Sequence, residues 1–380
     1  MVWTLHTSAA AIDIRLEKIN IDLDITLWSP APVARSIEQH CPLVAALIFG
    51  CAAMPSRRLL LLVATTNALR RERLRVLTYN VHAWRDSDHA DNLRRVVDVC
   101  AAVDADVVCL NEVLHPYDGS RQPPEYFDAV KDRAGVGHAV VACEEADSYL
   151  QKLAAALGTP HVAFAEAERA QCFFGNIAFG NAILSRRPFL DTRQVVARPE
   201  PGDVLLGEQP RENVEARAAV WASVAVGAES VGVCAAHLDH KSDPLRAKQL
   251  NIFLKELERN APPLSLICGD LNAFRRADHD DAAWDRILRF YASRGWPAPG
   301  EDVLALDAAY AAGFADAAAG FDIEPTCWTS NPLFRIDHVL LNAALRERCR
   351  VTNYRRVDSD ASDHYPVVVD LELEFDDDDD

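Results

Sequence analysis

One stretch, residues 264–273 (LSLICGDLNA), constrains the fold of this chain more than any other. Its apolar half predicts a short buried strand, and Gly269 ends that strand because a residue without a side chain lets the backbone turn. Alternate side chains of an extended chain share a face, so Asp270 and Asn272 point one way while Leu271 points into the core. Polar groups at the carboxyl end of a buried strand indicate a ligand site. An Asx turn that caps the strand explains the same residues equally well.

The order of the other elements predicts an α/β protein. Residues 74–79 predict a first strand that ends at Asn80, residues 91–103 an amphipathic helix, and residues 107–110 a second buried strand that ends at 111–112. This strand–helix–strand order favours a layered α/β architecture. The remaining predicted elements are a hairpin of strands at 216–226 and 230–236, strands at 181–185, 336–341 and 365–373, helices at 147–157, 244–259, 280–294 and 303–312, and loops at 115–146, 173–180 and 198–213.

Composition places the chain among globular proteins and limits its partners. The 380 residues are 49% hydrophobic and 25% charged, enough for one large domain or two small ones. The formal net charge is −18. A chain this acidic is not typical of a non-specific nucleic-acid binder, because phosphate backbones attract Lys and Arg. The same charge suits a protein that holds divalent cations through carboxylates.

The ten cysteines indicate a reducing compartment. None stands in a C-x-x-C pair or at zinc-site spacing, and Cys109, Cys234 and Cys268 lie within apolar runs, where a thiol behaves as a small hydrophobic group. We therefore predict an intracellular protein, in the cytoplasm or the nucleus, with reduced core cysteines.

Residues 1–74 are interpreted as a leader whose order the sequence leaves open. Their apolar run at 43–54 has 12 residues, too few to span a bilayer, so no stable membrane span is expected. From Met54 the sequence MPSRRLLLLVATTNA resembles a signal peptide, and secretion is expected only if Met54 is the true start. We assign the rest to one domain at 75–375 and a solvated acidic tail at 376–380, and we expect a monomer.

Polar side chains stand where the predicted apolar strands end, and this shared pattern is the main functional signal. The set is Asn80, Glu112, His237, Asp270, Asn272, Asp337, Asp363 and His364. Singly, each has a structural explanation as a turn former, a surface group or part of a local ion pair. Together they suit Mg²⁺ or Mn²⁺, which take carboxylate, carboxamide and water oxygens, whereas zinc favours more His or Cys. The histidines would then contact phosphate and transfer protons, and His364 needs a carboxylate such as Asp337 to orient its ring.

Seven motifs, in order, resemble those of the endonuclease/exonuclease/phosphatase superfamily. They are LTYNVHAW, VVCLNEV, FGNAILSRRP, AAHLDH, ICGDLNA, FRIDHVLLN and SDHYPVVV, and the resemblance covers residues 75–375. It implies the DNase-I-like fold, a four-layer α/β sandwich of two packed mixed β-sheets flanked by helices. It also implies a divalent-metal-dependent hydrolase of phosphate esters, of the nuclease or phosphatase type. The pattern is most similar to a poorly characterised general branch of the superfamily.

The resemblance assigns the metal and the nucleophile to five positions. Asn80 and Glu112 would bind the metal, with Glu112 as the primary ligand, and Asp363 would assist metal or water binding. Asp270 would orient and deprotonate the attacking water, and Asn272 would hold the phosphate or the nucleophile.

Four further positions would act on the substrate. His364, paired with Asp337, would contact the scissile phosphate and stabilise the transition state. His237 would stabilise the developing negative charge or help the leaving oxygen. Asn181, in the GNAILS motif, would lie on the substrate side.

The sequence departs from the family pattern at two places. Asn111 stands before Glu112 where many members have Gln, and no loss follows because the ligand is the glutamate. The Trp-Cys-Asp-Arg run of inositol-polyphosphate 5-phosphatases has no counterpart. On the helix after AAHLDH, Arg246 and Gln249 follow the branch pattern, either as a face packed beneath the site or as substrate contacts.

The substrate class stays open at this stage. A phosphodiester in nucleic acid, a phospholipid head group and a small phosphate ester all fit the motifs. A catalytically weak member that binds a phosphorylated partner is the alternative, although such a descendant would be expected to lack some of the site residues.

Overall fold

The computed structural model describes residues 70–116, 148–169, 177–198, 216–296, 298–300, 302–322 and 324–375, and the backbone of four strands nearer the amino terminus. The backbone divides into two compact units, residues 1–70 with 375–380 and residues 71–374. Most of the predicted loops at 115–146 and 198–213, residues 173–176 of the predicted loop at 173–180, the apolar run at 43–54, Met54 and the acidic tail lie outside the described residues. The predicted leader, domain and tail boundaries stay predictions.

The first unit contains two small antiparallel pairs of strands. They are β1 (Trp3–Ser8) with β2 (Ala11–Leu16), and β3 (Asp24–Trp28) with β4 (Leu61–Thr65).

The second unit is built from twelve strands and six helices among the described residues. The strands are β5 (Arg70–Asn80), β6 (Val107–Pro116), β7 (His161–Arg169), β8 (Ile177–Ser185), β9 (Phe189–Ala197), β10 (Arg217–Val226), β11 (Glu229–Ala236), β12 (Ser265–Asp270), β13 (Ala315–Asp316), β14 (Asp337–Leu341), β15 (Cys349–Arg356) and β16 (Val367–Phe375). The helices are α1 (Leu93–Val103), α2 (Tyr149–Leu157), α3 (Asp243–Asn260), α4 (Asp281–Ser293), α5 (Leu304–Ala311) and α6 (Ala343–Arg348). Within these described segments, no helix combines the length and the apolar character needed to cross a lipid bilayer.

The strands form two mixed six-stranded sheets, which confirms the predicted α/β sandwich. Sheet one has the order β15-β16-β5-β6-β8-β7, and β5 and β6 run parallel. Sheet two has the order β13-β14-β12-β11-β10-β9, and β11 and β12 run parallel. Antiparallel pairing joins β15 to β16, β6 to β8 and β7 to β8 in sheet one. In sheet two it joins β9 to β10, β12 to β14 and β13 to β14, as well as β10 to β11, the predicted hairpin about Gly227.

Each sheet carries its own helices on one face. On sheet one, α1 and α2 share a core that contains Val96, Cys100 and Leu153. The cap of α2 is Ser148, which forms a capping box with Gln151, rather than the predicted Asp147. A left-handed residue, Gly158, ends the helix as predicted.

On sheet two, α3 and α5 cover the outer face. The apolar stripe that the sequence predicts for α3 is buried throughout, and it consists of Leu245, Leu250, Phe253, Leu254 and Leu257. Ser242 caps this helix and Pro244 lies in its first turn, which agrees with the expected start. The described cysteines are free thiols, and Cys109, Cys234 and Cys268 are buried, as predicted for reduced core residues.

The structure corrects several strand predictions. Strand β6 continues to Pro116 instead of ending at Glu112. Residues 177–180, predicted as loop, belong to β8, because Gly180 permits close approach: an added Cβ would lie 1.9 Å from the Ala165 carbonyl oxygen. The sequence analysis did not predict four strands, which are β7, β9, β13 and β15. These are the edge strands of the two sheets, and β9 is mostly exposed, so the apolar signal of a buried strand is weak there.

The backbone at Gly269 tolerates a side chain less well than the backbone at Gly158, the glycine that ends α2. Gly269 has φ 136°, and an added Cβ would lie 2.0 Å from the Ala236 carbonyl oxygen. We expect Gly269→Ala to lower the free energy of unfolding by about 3 kcal/mol or more, because the backbone is strained and the strands must separate. Gly158→Ala (φ 63°, no atom within 4 Å of the added Cβ) should cost about 1 kcal/mol. Urea unfolding measures both, and equal losses would contradict the steric argument.

Candidate active site

Sheet two places three of the predicted site residues at one edge. Asp270 is the last residue of β12, and Asp337, the first residue of β14, lies opposite it in the antiparallel register. His237 directly follows Ala236, the end of β11, which runs parallel to β12. The strand ends therefore bring together side chains that are far apart in the sequence.

Sheet one contributes Asn80 and Glu112 to the same place. Asn80 ends β5 and lies opposite Asn111 of β6. The register of β6 shifts between Leu110 and Val113, and Glu112 has a positive φ of 55°. This is a β-bulge, which redirects a side chain in the middle of a strand. The bulge explains how a residue inside β6 reaches the site.

Asn111 joins the two sheets beneath the site. Its Oδ1 accepts the Asp270 backbone N–H at 2.9 Å, and its Nδ2 donates to the Ala236 carbonyl at 3.0 Å. Nδ2 also donates to Asn181 Oδ1 at 2.9 Å, while Asn181 Nδ2 donates to the Ala218 carbonyl at 2.6 Å. Asn181 is thus buried below the site and is absent from the described lining of the cleft, so its predicted substrate contact stays a prediction.

Two carboxylates converge around the amide of Asn80. Its Nδ2 donates to Glu112 Oε1 and to Asp270 Oδ2, both at 3.1 Å, while its Oδ1 accepts the His82 N–H. In this arrangement Asn80 orients the carboxylates, and its predicted part as an oxygen ligand would require the amide to turn over. His237 Nε2 lies 3.6 Å from Asp270 Oδ2 and 3.9 Å from Glu112 Oε1.

This cluster fits a divalent cation. The ligand atoms of Glu112, His237 and Asp270 lie within 4.8 Å of one another. Burial raises the pKa of Asp270 to about 7; His364 opposes this shift, and the nearby negative charges of Asp337 and Glu112 add to it. Carboxylates crowded in this way gain from a cation between them, and oxygen donors are those that Mg²⁺ and Mn²⁺ prefer.

His364 and Asp337 form the predicted pair. His364 Nδ1 lies 2.9 Å from Asp337 Oδ2, and His364 Nε2 lies 3.6 Å from Asp270 Oδ2. Burial alone would lower the pKa of His364, but the negative groups around it, including the Asp337 carboxylate, raise that pKa well above its usual range. Asp337 is not the partner of nearby Arg335, which instead contacts Asp316 at 2.7 Å. A local Arg335–Asp337 ion pair therefore does not explain Asp337.

His237 has the opposite electrostatics. Burial, followed by the positive charge of Arg217 and by the neighbouring His364 and His240, lowers its pKa well below the usual range, so His237 is neutral at physiological pH. Arg217 Nη1 lies 3.2 Å from His237 Nδ1, and Arg217 Nη2 lies 3.3 Å from His240 Nδ1.

Arg217 and His240 were missed by the sequence analysis. Arg217 is the only charged residue of strand β10 (RAAVWASVAV) and is buried, a signal that marks it for a site. His240 ends the AAHLDH motif, so its proximity to the site residue His237 was also visible in the sequence.

Asn272 and Asp363 complete the predicted set. The Asn272 backbone N–H donates to Asp270 Oδ1 at 2.9 Å, so the alternative Asx turn is present together with the shared site. Asn272 Nδ2 donates to the Leu238 carbonyl at 3.0 Å. Asp363 lines the cleft, 3.6 Å from His82 Nδ1.

Arg246 and Gln249 support the loop that carries His237. Arg246 Nη1 donates to the Asp239 carbonyl at 3.2 Å, and Gln249 Oε1 accepts the Asp239 N–H at 2.8 Å. Both side chains are buried, which favours the packed-face interpretation over substrate contact.

Eight of these residues line one cleft of about 370 Å³: Glu112, Arg217, His237, His240, Asp270, Asn272, Asp363 and His364. Its polar side holds the carboxylates, the histidines and Arg217. Its other side is aromatic, with residues from α4 and from the segment 326–336. The sequence analysis did not place these aromatic residues in the site, because the helix and the segment meet only in the folded chain.

Comparison with known proteins agrees with the geometry. Residues 77–364 match the model of the Endonuclease/Exonuclease/phosphatase family, so the chain belongs to that family, whose members hydrolyse phosphate esters. No curated protein matches the chain.

Solved structures share the fold. A Beutenbergia cavernae endonuclease/exonuclease/phosphatase is 24% identical with a TM-score of 0.57, covering 80% of this chain and 72% of that one. A family protein from Leptotrichia buccalis is 16% identical with a TM-score of 0.53, covering 79% and 100%. A functionally unknown Enterococcus faecalis protein is 18% identical with a TM-score of 0.51, covering 78% and 99%.

Without a divalent cation, Asp270 should make stability depend on pH. The pKa of its carboxyl group is about 7 in the folded protein, against an ordinary value of 3.8, so the folded state binds the proton more tightly than the unfolded state does. Proton binding therefore stabilises the folded state at low pH, and this stabilisation is lost as the pH rises from 3.8 to about 7. In EDTA we expect the wild type to lose about 1–3 kcal/mol of unfolding free energy over that interval. Asp270→Asn should lose less. Urea unfolding across the interval measures both, and parallel pH profiles would contradict the assignment to Asp270.

Proposed function

We propose that this chain is a divalent-metal-dependent phosphoesterase that hydrolyses a phosphodiester or phosphomonoester by in-line attack of water. The observation that carries the proposal is the meeting of Glu112, Asp270 and the His364–Asp337 pair at one cleft. Each supplies a different requirement of the reaction: a cation ligand, a base and a donor to the phosphoryl group.

Glu112 is the proposed primary ligand of Mg²⁺ or Mn²⁺, assisted by Asn80 and Asp363. The bulge in β6 holds Glu112 at the cleft, and the Asn80 amide contacts its Oε1 at 3.1 Å. When bound, the cation neutralises charge on the phosphoryl oxygens and favours attack on phosphorus. Asp270 and His237 complete the group of donors near Glu112.

Asp270 is the proposed general base. Without a bound cation the pKa of Asp270 is raised to about 7, chiefly by burial, so this carboxylate is a stronger base than an ordinary aspartate. The Asn272 N–H and the Asn80 amide each contact one of its oxygens and hold its orientation. The Asn272 side chain lies beside it at the cleft, where it would hold the phosphate or the attacking water.

His364 is the proposed donor to the scissile phosphate. Its Nδ1 proton is held by Asp337, so Nε2 faces the cleft, and its raised pKa keeps the ring protonated and positive. His237 is neutral and would donate a hydrogen bond to developing charge or to the leaving oxygen. The fixed positive charge beside it comes from Arg217, which lines the same cleft.

The panel that tests the function holds single- and double-stranded DNA, abasic DNA, RNA, sphingomyelin, a phosphoinositide and a generic phosphodiester, each with Mg²⁺ and with EDTA. Nucleic acid, phospholipid and small phosphate esters are the candidate substrates. Long duplex DNA is the least favoured, because the net charge of −18 opposes a polyanion.

We expect Asp270→Ala to remain folded and to lose at least about 10²-fold in the rate constant, because the variant lacks the proposed base. EDTA should abolish turnover by the wild type. The control Asp358→Ala removes an exposed carboxylate and should keep full activity. Metal-dependent turnover that survives in Asp270→Ala would overturn the assignment of the base.

A further inference from the structure

The aromatic side of the cleft is unusually uniform. Among the described lining residues on that side the apolar groups are nearly all aromatic, and Ile336 is the single aliphatic one. We call the following set the aromatic wall: Phe274, Phe290, Tyr291, Trp296, Trp328 and Phe334.

The wall has a buried back and a partly exposed front. Phe274 and Phe334 are buried in the cluster behind it, whereas Phe290, Trp296 and Trp328 are only partly buried. The ring centroid of Phe290 lies 4.9 Å from that of Trp328 and 5.8 Å from that of Trp296, in edge-to-face contacts. Three adjoining large rings that stay partly open at a cleft indicate a surface for a ligand.

The wall begins next to the catalytic pair. Cys327 forms a β-bridge with His364 and another with Phe334, and the Thr329 N–H donates to the Asp363 carbonyl at 2.9 Å. A group held against Trp328 therefore lies within a few bonds of a phosphate held at His364. The wall faces the part of the substrate that is joined directly to the phosphate.

The chemistry of the lining selects the kind of group. A polyol would leave its hydroxyls without hydrogen-bond partners against the rings. A quaternary ammonium would suit aromatic faces, but the guanidinium of Arg217 lines the same cleft and opposes a further positive charge. A long acyl chain exceeds what a cleft of about 370 Å³ holds beside a phosphate, and little of the lining is aliphatic.

We propose that the group esterified to the phosphate in the substrate carries a flat, uncharged ring that binds against the aromatic wall. This inference rests on the proposed phosphoesterase function. The ring is either a nucleobase, reached through its sugar, or an aryl group joined directly to the phosphate. Both stack on aromatic side chains, and the same surface serves either.

Matched pairs of phosphonates test whether the protein prefers a ring, because their P–C bonds are not hydrolysed. Their binding to the wild-type protein with Mg²⁺ is measured by calorimetry. Phenylphosphonate is compared with cyclohexylphosphonate, and the phosphonate analogue of AMP with that of ribose 5-phosphate. We expect the ring-bearing member of at least one pair to bind about tenfold or more tightly. Preference in the first pair identifies an aryl ester, and preference in the second a nucleobase. Equal affinities within both pairs overturn the proposal.

Two substitutions separate the wall from the cluster behind it. Phe290→Leu keeps apolar volume at the front of the wall and should reduce the preference to about threefold or less. Trp284→Leu is the matched control: Trp284 packs on Phe274 in the same cluster but is not among the described lining residues of the cleft. It should leave the preference unchanged. If Phe290→Leu does not fold, Trp296→Leu replaces it. An equal effect of the front and control variants overturns the proposal.

The binding readout separates this inference from the proposed function. Hydrolysis of the substrate panel without any preference for rings would refute the ring proposal alone. A clear preference, lost in Phe290→Leu and kept in Trp284→Leu, supports the ring proposal even if no member of the panel is hydrolysed.

Discussion

The side chain of Asn111 is the contact on which the site depends. It accepts the backbone N–H of Asp270 and donates to the carbonyl of Ala236, so one amide from sheet one satisfies two backbone groups at the edge of sheet two. Buried backbone groups need partners, and a side chain that supplies two of them sets the distance and register between the sheets. Glu112 follows immediately, so the residue that joins the sheets also places the proposed ligand.

The site opposes the stability of the fold around it. Asp270 and Asp337 are buried at adjacent strand ends, and Glu112 adds a third carboxylate nearby. Burial of charge and mutual repulsion both destabilise the folded chain unless protons, His364 or a cation offset them. The raised pKa of Asp270 and that of His364 are two expressions of this one conflict. Groups with such electrostatics persist where a function requires them, and the rest of the two sheets supplies the compensating stability.

Local sequence patterns predicted some residues of the candidate site, whereas the positions of others depend on strand pairing between distant parts of the chain. Asp270 follows an apolar strand and a glycine, so its position at a strand end was readable. Glu112 was also predicted for the site, but the bulge that presents it depends on pairing with β8, which no local pattern reveals. Arg217 lies within the predicted strand 216–226, where a single charged residue in an apolar run was a usable signal. Asn181 shows the converse: its motif resembles a site, yet its amide is used by Asn111 and the Ala218 carbonyl.

The segment 326–336 links the aromatic wall to the proposed catalytic pair His364–Asp337. The Thr326 hydroxyl accepts the backbone N–H of Asp337 at 3.2 Å, and the Tyr365 N–H donates to the Thr326 carbonyl at 2.7 Å, so this segment helps to hold both members of the His364–Asp337 pair. The same segment carries Trp328 of the aromatic wall. The ends of the segment are therefore constrained by their contacts with the His364–Asp337 pair, whereas the partly buried ring of Trp328 packs on Phe290 and Phe334 and also faces the cleft. A substitution at such a ring can change which ligand the cleft prefers while the proposed catalytic residues at the strand ends keep their geometry.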